Sequence, residues 1–308
     1  MDGGLARVLV ACPFNDAALK TLLRGDINVD YRPTMSQQEL DQVYTDYDAL
    51  VVRGNLRVRP LKGKGSLKVI VRAGAGLDNI AVEEFEKLGV KVFNTPDAVA
   101  ESVGELVIGL MISLSRGVFK AASALCRGEW LKHGLMGQEL SGKTLGIIGF
   151  GRIGHVVAKI AHAIGMRILV YDIVKFPEEE LRLYGAEQVS LEKLLSESDY
   201  VSVHTPLTGE TRNMLGEREL RAMKRTAYLI NTARGHIVDQ EALKNALKEG
   251  WIAGAALDVF SEEPPKDLEL LSIPNLIPTP HIGAQTREAQ ERASFEAAGI
   301  LVRELKGS

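Results

Sequence analysis

Short runs of Val, Ile and Leu alternate along the chain with segments whose apolar residues recur at helical spacing. The first series of apolar runs predicts strands at residues 7–11, 49–52, 68–72 and 91–93. Polar, helix-compatible segments such as 36–44 and 81–88 lie between them. Near-continuous apolar strands that alternate with helices are typical of parallel sheets buried on both faces. We therefore predict an α/β fold built from βαβ units.

A second series of apolar runs predicts six more strands, at 144–148, 167–171, 200–203, 227–230, 253–257 and 275–277. Six strands with helices between them suit a doubly wound nucleotide-binding domain. Two long helical segments, about 101–127 and 284–305, fit neither series and are expected to connect two domains. The predicted division is a nucleotide-binding domain at 100–285 and a discontinuous substrate-binding domain made of 1–99 and 286–308.

Charge and cysteine content narrow the classes of partner. The formal net charge of the 308 residues is -3, so no strong positive field favours nucleic acid or an anionic membrane as a partner. The two cysteines, Cys12 and Cys126, are far apart in sequence, and neither a disulfide framework nor a metal site is expected. These features predict a cytoplasmic protein that acts on a small molecule.

No targeting or membrane segment is expected. The start of the chain, Met1 to Gly4, is acidic and leads directly into a predicted strand, which is unlike a signal peptide. The longest apolar run, around 106–114, is interrupted by Gly109 and Ser113. We expect it to be a buried helix that is far shorter than a membrane span.

The motif GFGRIG at 149–154 follows a predicted strand and opens a predicted helix. In such a turn Gly149 permits the sharp bend, Gly151 the close approach of a pyrophosphate, and Gly154 close packing of helix on strand. The helix N-terminus then offers N–H groups and a positive dipole end to the phosphates. Asp172 ends the next strand, where a carboxylate accepts hydrogen bonds from ribose hydroxyls and repels a 2′-phosphate. The pattern predicts NAD rather than NADP.

Arg234, Glu263 and His281 lie in three segments that each follow a predicted strand. Ligands of open α/β sheets bind beyond the carboxyl ends of strands, so the three side chains are expected to converge. Oxidation of a hydroxy acid removes a hydride from carbon and a proton from the hydroxyl. A histidine accepts such a proton near neutrality, a carboxylate orients the ring, and an arginine binds the substrate carboxylate or polarises the carbonyl. We predict that these three residues are catalytic.

Eight stretches carry a resemblance to a known family: VRAGAGLDNI at 71–80, NTP at 94–96, ESVGE at 101–105, GKTLGIIGFGRIG at 142–154, HTP at 204–206, NTARGHIVD at 231–239, GAALDVFSEEPP at 254–265 and TPHIGAQT at 279–286. Through them nearly the whole chain resembles the D-isomer-specific 2-hydroxyacid dehydrogenase family, and within it the branch that oxidises D-3-phosphoglycerate. The resemblance implies two Rossmann-like or flavodoxin-like domains with doubly wound parallel sheets, an active site in the interdomain cleft, and a homodimer.

The resemblance also implies residue roles, with catalysis by Arg234, Glu263 and His281. The implied cofactor-binding residues are Gly149, Gly151, Arg152, Ile153, Gly154, Asp172, His204, Thr205, Pro206, Thr232, Ala233, Asp258, Gly283 and Ser102. The implied substrate-binding residues are Arg53, Arg72, Ala73, Gly74, Ala75, Gly76, Asn94 and Lys132. Cations at Arg53, Arg72 and Lys132 favour a phosphorylated substrate, although the segment around Lys132 matches only loosely.

The expected reaction is NAD-dependent oxidation of D-3-phosphoglycerate to 3-phosphohydroxypyruvate, the first step of serine biosynthesis, with His281 as general base. The alternatives are a glyoxylate or hydroxypyruvate reductase, another D-2-hydroxyacid dehydrogenase, or an NAD-sensing binding module. Formate dehydrogenases carry Gln in place of the glutamate, so Glu263 disfavours that activity. Larger family members append a regulatory domain; because this chain ends at Ser308, serine feedback is not expected.

Other titratable residues near these motifs have simpler interpretations. His236 follows the arginine motif and is interpreted as a bystander, and Glu262 as the neighbour of the catalytic Glu263. His204 is expected to be positional rather than catalytic. Three further histidines have no partner motif: His133, His155 and His162.

Overall fold

The structure is a computed structural model that describes residues 5–25 and 27–306. The segment Met1 to Gly4, where no signal peptide is expected, lies outside the described residues, as do positions 26, 307 and 308 of the predicted substrate-binding domain. The chain divides into two compact units. Unit 1 is Met1–Ser102 with Ala284–Ser308, and unit 2 is Val103–Gly283.

Unit 1 contains a sheet of five parallel strands, which are β1 (Ala6–Val10), β2 (Ile27–Tyr31), β3 (Ala49–Val52), β4 (Val69–Arg72) and β5 (Lys91–Asn94). Their order is β2-β1-β3-β4-β5, which is that of flavodoxin-like folds. The central strands are almost fully buried, as the apolar runs predict. The order places the carboxyl ends of β1, β3 and β4 side by side.

Unit 2 contains a sheet of seven parallel strands, which are β6 (Thr144–Ile148), β7 (Arg167–Tyr171), β8 (Ala186–Gln188), β9 (Tyr200–Val203), β10 (Tyr228–Asn231), β11 (Gly254–Leu257) and β12 (Leu276–Pro278). Their order is β12-β11-β10-β9-β6-β7-β8. The strand order reverses between β6 and β9, and ligands of doubly wound folds bind at such a switch point. The predicted α/β class with two doubly wound parallel sheets is confirmed.

The helices of the described chain are α1 (Asp16–Arg24), α2 (Gln37–Val43), α3 (Val82–Lys87), α4 (Ala100–Arg116), α5 (Val118–Cys126), α6 (Arg152–Ala163), α7 (Glu178–Leu183), α8 (Leu191–Glu197), α9 (Glu217–Ala222), α10 (Gln240–Glu249), α11 (Leu268–Leu271) and α12 (Arg287–Lys306). Side-chain caps begin several of them. The Asn15 side chain accepts hydrogen bonds from two N–H groups of α1, and Ser36 forms a capping box with Glu39 at α2. Such local signals explain why the helix starts are readable from sequence.

Two strands were not predicted, and both lie at sheet edges. Strand β2 has the sequence INVDY with only its first residue buried, and β8 has the sequence AEQ with no buried residue. An edge strand is covered less completely than a central one, so its sequence needs no continuous apolar run. The apolar pattern therefore detects central strands and misses these two.

The helical segment predicted at 101–127 is two helices. Gly117 separates α4 from α5 with a φ of 60°, in the left-handed region that ends a helix. Among the described residues, one helix, Asp97–Arg116, is long and apolar enough by length and composition to cross a membrane, so the expectation of a much shorter apolar segment was wrong. Of its most apolar window, 61% is buried inside the protein, and Val107 and Met111 lie in the core of unit 2.

Candidate active site

The glycine-rich turn joins β6 to α6 where the strand order of unit 2 reverses. Gly149 has a φ of 93°, and a Cβ atom there would lie 2.8 Å from the backbone of both His204 and Thr205. A Cβ atom on Gly154 would lie 2.5 Å from the carbonyl oxygen of Gly149, whereas the space around Gly151 is open. The turn therefore packs closely on its protein side and leaves room for a ligand at Gly151.

Helix α6 begins at this turn with Gly151 as its N-cap, and no side chain caps the helix there. The first N–H groups of a helix have no partner within the helix, and together with the helix dipole they bind anions. Arg152 and Ile153 occupy the first two positions of α6. The backbone at this point fits the pyrophosphate of a dinucleotide.

Three polar side-chain atoms at the carboxyl ends of β9 and β10 are buried without a hydrogen-bond partner. They are Nδ1 of His204, Oγ1 of Thr205 and Oγ1 of Thr232. Buried polar atoms are nearly always paired, so three unpaired ones at a switch point fit a polar ligand. Burial lowers the pKa of His204 from 6.5 to about 3, and the ring is therefore neutral at pH 7. Its Nε2 atom lies 2.8 Å from Oγ of Ser202.

Asp172 follows β7, and its carboxylate accepts two backbone hydrogen bonds. Oδ2 accepts from the N–H of Phe150 at 2.8 Å, and Oδ1 accepts from the N–H of Val174 at 2.9 Å. An ionised carboxylate has about four acceptor positions, so both oxygens keep a lone pair for ribose hydroxyls. The bond to Phe150 also ties this acidic residue to the glycine-rich turn.

His281 and Glu263 form a hydrogen-bonded pair in unit 2. Nδ1 of His281 lies 2.7 Å from Oε2 of Glu263, and Oε1 of the same carboxylate accepts the N–H of Phe260 at 3.1 Å. An ionised carboxylate only accepts hydrogen bonds, so Nδ1 carries the proton and Nε2 of the neutral ring holds a lone pair. Both side chains remain partly exposed, at 48% and 38%. A molecule that enters from solvent can therefore reach the pair, and Nε2 of His281 can accept a proton from it.

The charge on Glu263 is stabilised by its surroundings. Burial raises the pKa of this carboxyl group, but the hydrogen bonds from His281 and from the N–H of Phe260, with the nearby charge of Arg234, outweigh burial and lower the pKa below its ordinary value. Glu263 is therefore ionised at neutral pH. A carboxylate in that state stabilises the imidazolium that forms when His281 accepts a proton.

Arg234 lies near Glu263 because the loop after β10 packs directly on the loop after β11. Gly235 follows it, and a Cβ atom on Gly235 would lie 1.9 Å from the carbonyl carbon of Phe260. Only glycine fits this contact, which brings the arginine loop against the loop that carries Glu263. The guanidinium donates to the carbonyl oxygen of Ala233 at 2.6 Å. The structure thus brings the three predicted catalytic side chains together within unit 2.

Asp258 organises the loop that carries His281. It is 1% exposed; Oδ1 accepts from Thr279 Oγ1 at 2.6 Å and from the N–H of Ile282 at 2.8 Å, and Oδ2 accepts from the N–H of Gly283 at 2.8 Å. These bonds hold His281 with a φ of 53°, a left-handed conformation that is uncommon outside glycine. The geometry makes Asp258 a support for the histidine loop, because the chain itself supplies three hydrogen bonds to this carboxylate.

In unit 1, Arg53 and Arg72 lie at adjacent strand ends. Arg53 follows β3 and Arg72 ends β4, and Val52 is in register with Arg72. The Nε atom of Arg53 is buried without a hydrogen-bond partner. Burial raises the pKa of the neighbouring Cys12 thiol to about 11, against the opposing effect of a hydrogen bond with Arg53. The two arginines at the carboxyl ends of these neighbouring strands form a candidate anion site.

The predicted substrate loop 74–76 is tied to the end of β5. The N–H of Gly74 donates to Oγ1 of Thr95 at 2.7 Å, and the side chain of Asn94 donates to the carbonyl oxygen of Ala75. The N–H of Gly74 is therefore already used and is not available to a substrate carboxylate, contrary to the expectation for the whole loop. Ala75 and Gly76 keep that predicted role, and Asn94 acts by holding the loop.

The remaining predicted site residues have varied positions. Ala73 and Ala233 are buried, and Pro206 follows β9. Ser102 belongs to unit 1 and shares a 2.7 Å hydrogen bond with Thr286. Lys132 belongs to unit 2, where it is exposed in the 3-10 turn Lys132–Gly134. The described residues contain no group of three or more His, Cys, Asp or Glu side chains arranged for a metal ion.

Sequence reasoning missed the groups that support the site. Cys12 follows β1 next to Arg53, and the ring of His155 stacks on Phe150 within the glycine-rich turn. The position of Cys12 at a strand end was a usable signal. The contacts of Phe150 and His155 with Phe176, Tyr184 and Glu180 depend on how α7 packs, which periodicity does not reveal.

Comparison with known proteins agrees with this geometry. Residues 108–283 match the family model described as D-isomer specific 2-hydroxyacid dehydrogenase, NAD binding domain. The chain is 43% identical over 307 residues to the D-3-phosphoglycerate dehydrogenase of Methanocaldococcus jannaschii, which covers 98% of this chain but only 58% of that protein. It is 42% identical over 304 residues to the hydroxypyruvate reductase of Thermotoga maritima, covering 97% of this chain and 98% of that one. The chain thus spans little more than half the length of the Methanocaldococcus protein.

A solved structure gives the same result. The crystal structure of D-lactate dehydrogenase from Aquifex aeolicus, complexed with NAD and lactic acid, has a TM-score of 0.84 and 30% identity, covering 98% of this chain and 96% of that one. The chain belongs to the D-isomer specific 2-hydroxyacid dehydrogenase family, whose members are NAD-dependent oxidoreductases. The predicted family, enzyme class and cofactor are confirmed, and unit 2 contains the NAD-binding domain.

Proposed function

We propose that the protein oxidises D-3-phosphoglycerate to 3-phosphohydroxypyruvate with NAD, the first step of serine biosynthesis. The observation that carries the substrate choice is the pair of arginines at the ends of β3 and β4, with Nε of Arg53 buried and unpaired. The fork of guanidinium donors matches the geometry of phosphate and carboxylate oxygens, and a second arginine beside the first suits the higher charge of a phosphate. Similarity to the Methanocaldococcus D-3-phosphoglycerate dehydrogenase supports the same substrate.

The proposed chemistry assigns one task to each side chain of unit 2. Arg234 binds the substrate carboxylate or the carbonyl oxygen that forms at C2. Nε2 of His281 accepts the hydroxyl proton, and the negative charge of Glu263, 2.7 Å from Nδ1, stabilises the imidazolium that results. NAD, when bound, accepts the hydride from C2. The proton leaves His281 to solvent, which the partial exposure of its ring allows.

The residues proposed to hold the cofactor are those whose geometry fits a dinucleotide. The first turn of α6 binds the pyrophosphate, and Asp172 binds the ribose hydroxyls. The unpaired hydroxyl oxygens of Thr205 and Thr232 bind further polar groups of the cofactor beyond the carboxyl ends of β9 and β10.

Reduction of hydroxypyruvate or glyoxylate is the second candidate. It uses the same groups in reverse, with His281 donating the proton. The similarity to the Thermotoga hydroxypyruvate reductase favours it, because that match extends over 98% of the relative, compared with 58% for the Methanocaldococcus protein. Neither small acid carries a phosphate, so this function offers the two arginines no phosphate group to bind.

The test compares substrates and an arginine variant. NADH formation at 340 nm is measured with NAD and D-3-phosphoglycerate, D-glycerate or D-lactate, and NADH loss with hydroxypyruvate or glyoxylate. We expect the phosphorylated acid to have the highest kcat/KM, and Arg53→Gln to raise its KM at least tenfold while D-glycerate is unaffected. Arg59→Gln, an exposed arginine in the same unit, is the matched control.

Other outcomes assign the function differently. Preference for hydroxypyruvate or glyoxylate with no effect of Arg53→Gln supports the reductase and contradicts the phosphoglycerate proposal. No turnover of any substrate, with NAD still bound, supports an NAD-sensing binding module.

We also propose that the protein is a homodimer. Five large apolar side chains are 48–98% exposed on α5 and the segment that follows it: Val118, Phe119, Leu125, Trp130 and Met136. Exposed large apolar side chains that form one surface patch are typical of a contact between proteins, and we propose that these five do so. Size-exclusion chromatography with light scattering should give a dimer, and Phe119→Asp should shift it toward the monomer. A cytoplasmic location is proposed on the two unpaired cysteines.

A further inference from the structure

His155 forms a bridge between the glycine-rich turn and helix α7. It lies one helical turn after Gly151 on α6, and its Nδ1 atom is 2.7 Å from the carbonyl oxygen of Gly151. Its Nε2 atom is 3.0 Å from Oε1 of Glu180. One ring thus contacts both the N-cap of the phosphate-binding helix and the side chain of Glu180 on α7.

The two partners of the ring are both hydrogen-bond acceptors. A backbone carbonyl oxygen and an ionised carboxylate have no proton to donate. A neutral imidazole carries one N–H group and can satisfy only one of them, whereas the imidazolium donates to both. The observed bridge is therefore complete only when His155 is protonated, and the other nitrogen of a neutral ring would point a lone pair at an oxygen.

The same ring also supports the residue at the centre of the turn. Phe150 lies between Gly149 and Gly151 and is fully buried. The His155 ring stacks on it with centroids 4.1 Å apart, and Phe176 and Tyr184 contact it edge-on. The N–H of Phe150 in turn donates to Asp172. His155 therefore holds the turn both through a side chain and through a backbone oxygen.

We propose that His155 is a positioning residue for NAD, whose protonated ring holds the glycine-rich turn against α7 in the conformation that binds the pyrophosphate. The inference rests on NAD binding by unit 2. Neutralisation of the ring breaks one of the two bonds and removes a positive charge near the phosphates, so NAD affinity falls as pH rises. The ionisable groups around the ring are Glu180 and Tyr184, at α7 and its C-cap, with Arg152 and Lys159 one turn before and after it on α6.

Two variants separate the bridge from simple packing. His155→Phe keeps an aromatic ring to stack on Phe150 but removes both hydrogen bonds. Glu180→Gln keeps the histidine and replaces the carboxylate by an amide that either accepts from a protonated Nε2 or donates to an unprotonated one. The matched control is His162→Gln, an exposed histidine in the last turn of the same helix. NAD binding is measured by isothermal titration calorimetry without substrate, from pH 6 to pH 8.5.

The expected Kd of the wild-type protein for NAD rises roughly fivefold to tenfold over this range, as one charge-assisted hydrogen bond is lost. His155→Phe should bind at pH 6 at least as weakly as the wild-type protein does at pH 8.5, because the variant lacks both bonds and the neutral wild-type ring lacks one. Glu180→Gln should bind well with little pH dependence, and His162→Gln should match the wild type. Unchanged melting temperatures in both test variants separate positioning from a folding defect.

Two results overturn the inference while leaving the proposed function intact. The first is a His155→Phe protein with the wild-type Kd and pH profile, and the second is a Glu180→Gln protein that keeps the full pH dependence. A wild-type protein that binds no NAD at any pH overturns this inference and the proposed function together.

Discussion

The Oδ2 atom of Asp258 accepts a hydrogen bond from the N–H of Gly283 at 2.8 Å, and this contact closes the loop that presents His281. A Cβ atom at Gly283 would lie only 3.1 Å from the same oxygen. The carboxylate thus holds the loop of His281, the proposed general base, through the backbone. Asp258 itself is only 1% exposed.

We predict that Asp258→Ala destabilises the protein and lowers kcat. The change leaves the N–H groups of Ile282 and Gly283 without their acceptor, and each such buried group costs about 1–3 kcal/mol. Urea unfolding measures the stability, and NADH formation measures kcat. Thr279→Val, which removes one bond to the same carboxylate, should have a smaller effect. Equal stability of Asp258→Ala and the wild type would contradict this account of the loop.

We predict that His281→Ala lowers kcat by roughly 100-fold to 10,000-fold, because proton transfer by a positioned group contributes about that factor. The Kd for NAD should change less than twofold, since its proposed contacts lie on other loops. Stopped-flow kinetics and calorimetry measure the two quantities. His236→Ala, in the 3-10 turn after Arg234, is the control and should retain turnover. Near-normal turnover of His281→Ala removes this residue from the mechanism.

We predict that Asp172→Ala weakens NAD binding roughly tenfold and improves the ratio of NADP to NAD turnover. The carboxylate supplies acceptors for the ribose hydroxyls and repels a 2′-phosphate. It also accepts the N–H of Phe150, so the turn loses an anchor as well. Asp172→Asn, which keeps the size but not the charge, separates repulsion from shape. An unchanged cofactor ratio in both variants excludes Asp172 from cofactor selection.

We predict that His204 contributes to acid instability. Its pKa falls from 6.5 to about 3 on burial, so between these values the unfolded chain binds a proton that the folded protein does not. Stability therefore rises with pH across this window and is lost as pH falls below 6.5, by about 1.4 kcal/mol per pH unit. Urea unfolding at pH 7 and pH 4.5 should show a smaller loss for His204→Asn than for wild type. An identical loss in His204→Asn and in the wild type would refute the assignment.

The sequence predicted the central strands well, and the reason is physical. Strands β3, β6, β9 and β11 are buried along their whole length, so each is a run of mostly apolar or small residues without a charged side chain. Edge strands β2 and β8 lack that run and escaped prediction. The break at Gly117 was also missed, because a glycine inside an apolar helix does not by itself end the helix.

The sequence by itself determined the fold class, the glycine-rich turn and the identity of the residues at the strand ends, because these depend on local pattern and on chain order. Only the tertiary structure decided which of those ends meet. Loop packing at Gly235 brings Arg234 towards Glu263, and the bond between His281 and Glu263 spans 18 residues of chain. The bridge from His155 to Glu180 spans 25 residues and exists because the fold brings these two side chains of α6 and α7 within hydrogen-bond distance. Such contacts depend on how helices, strands and loops pack together, and a local sequence pattern does not predict that packing.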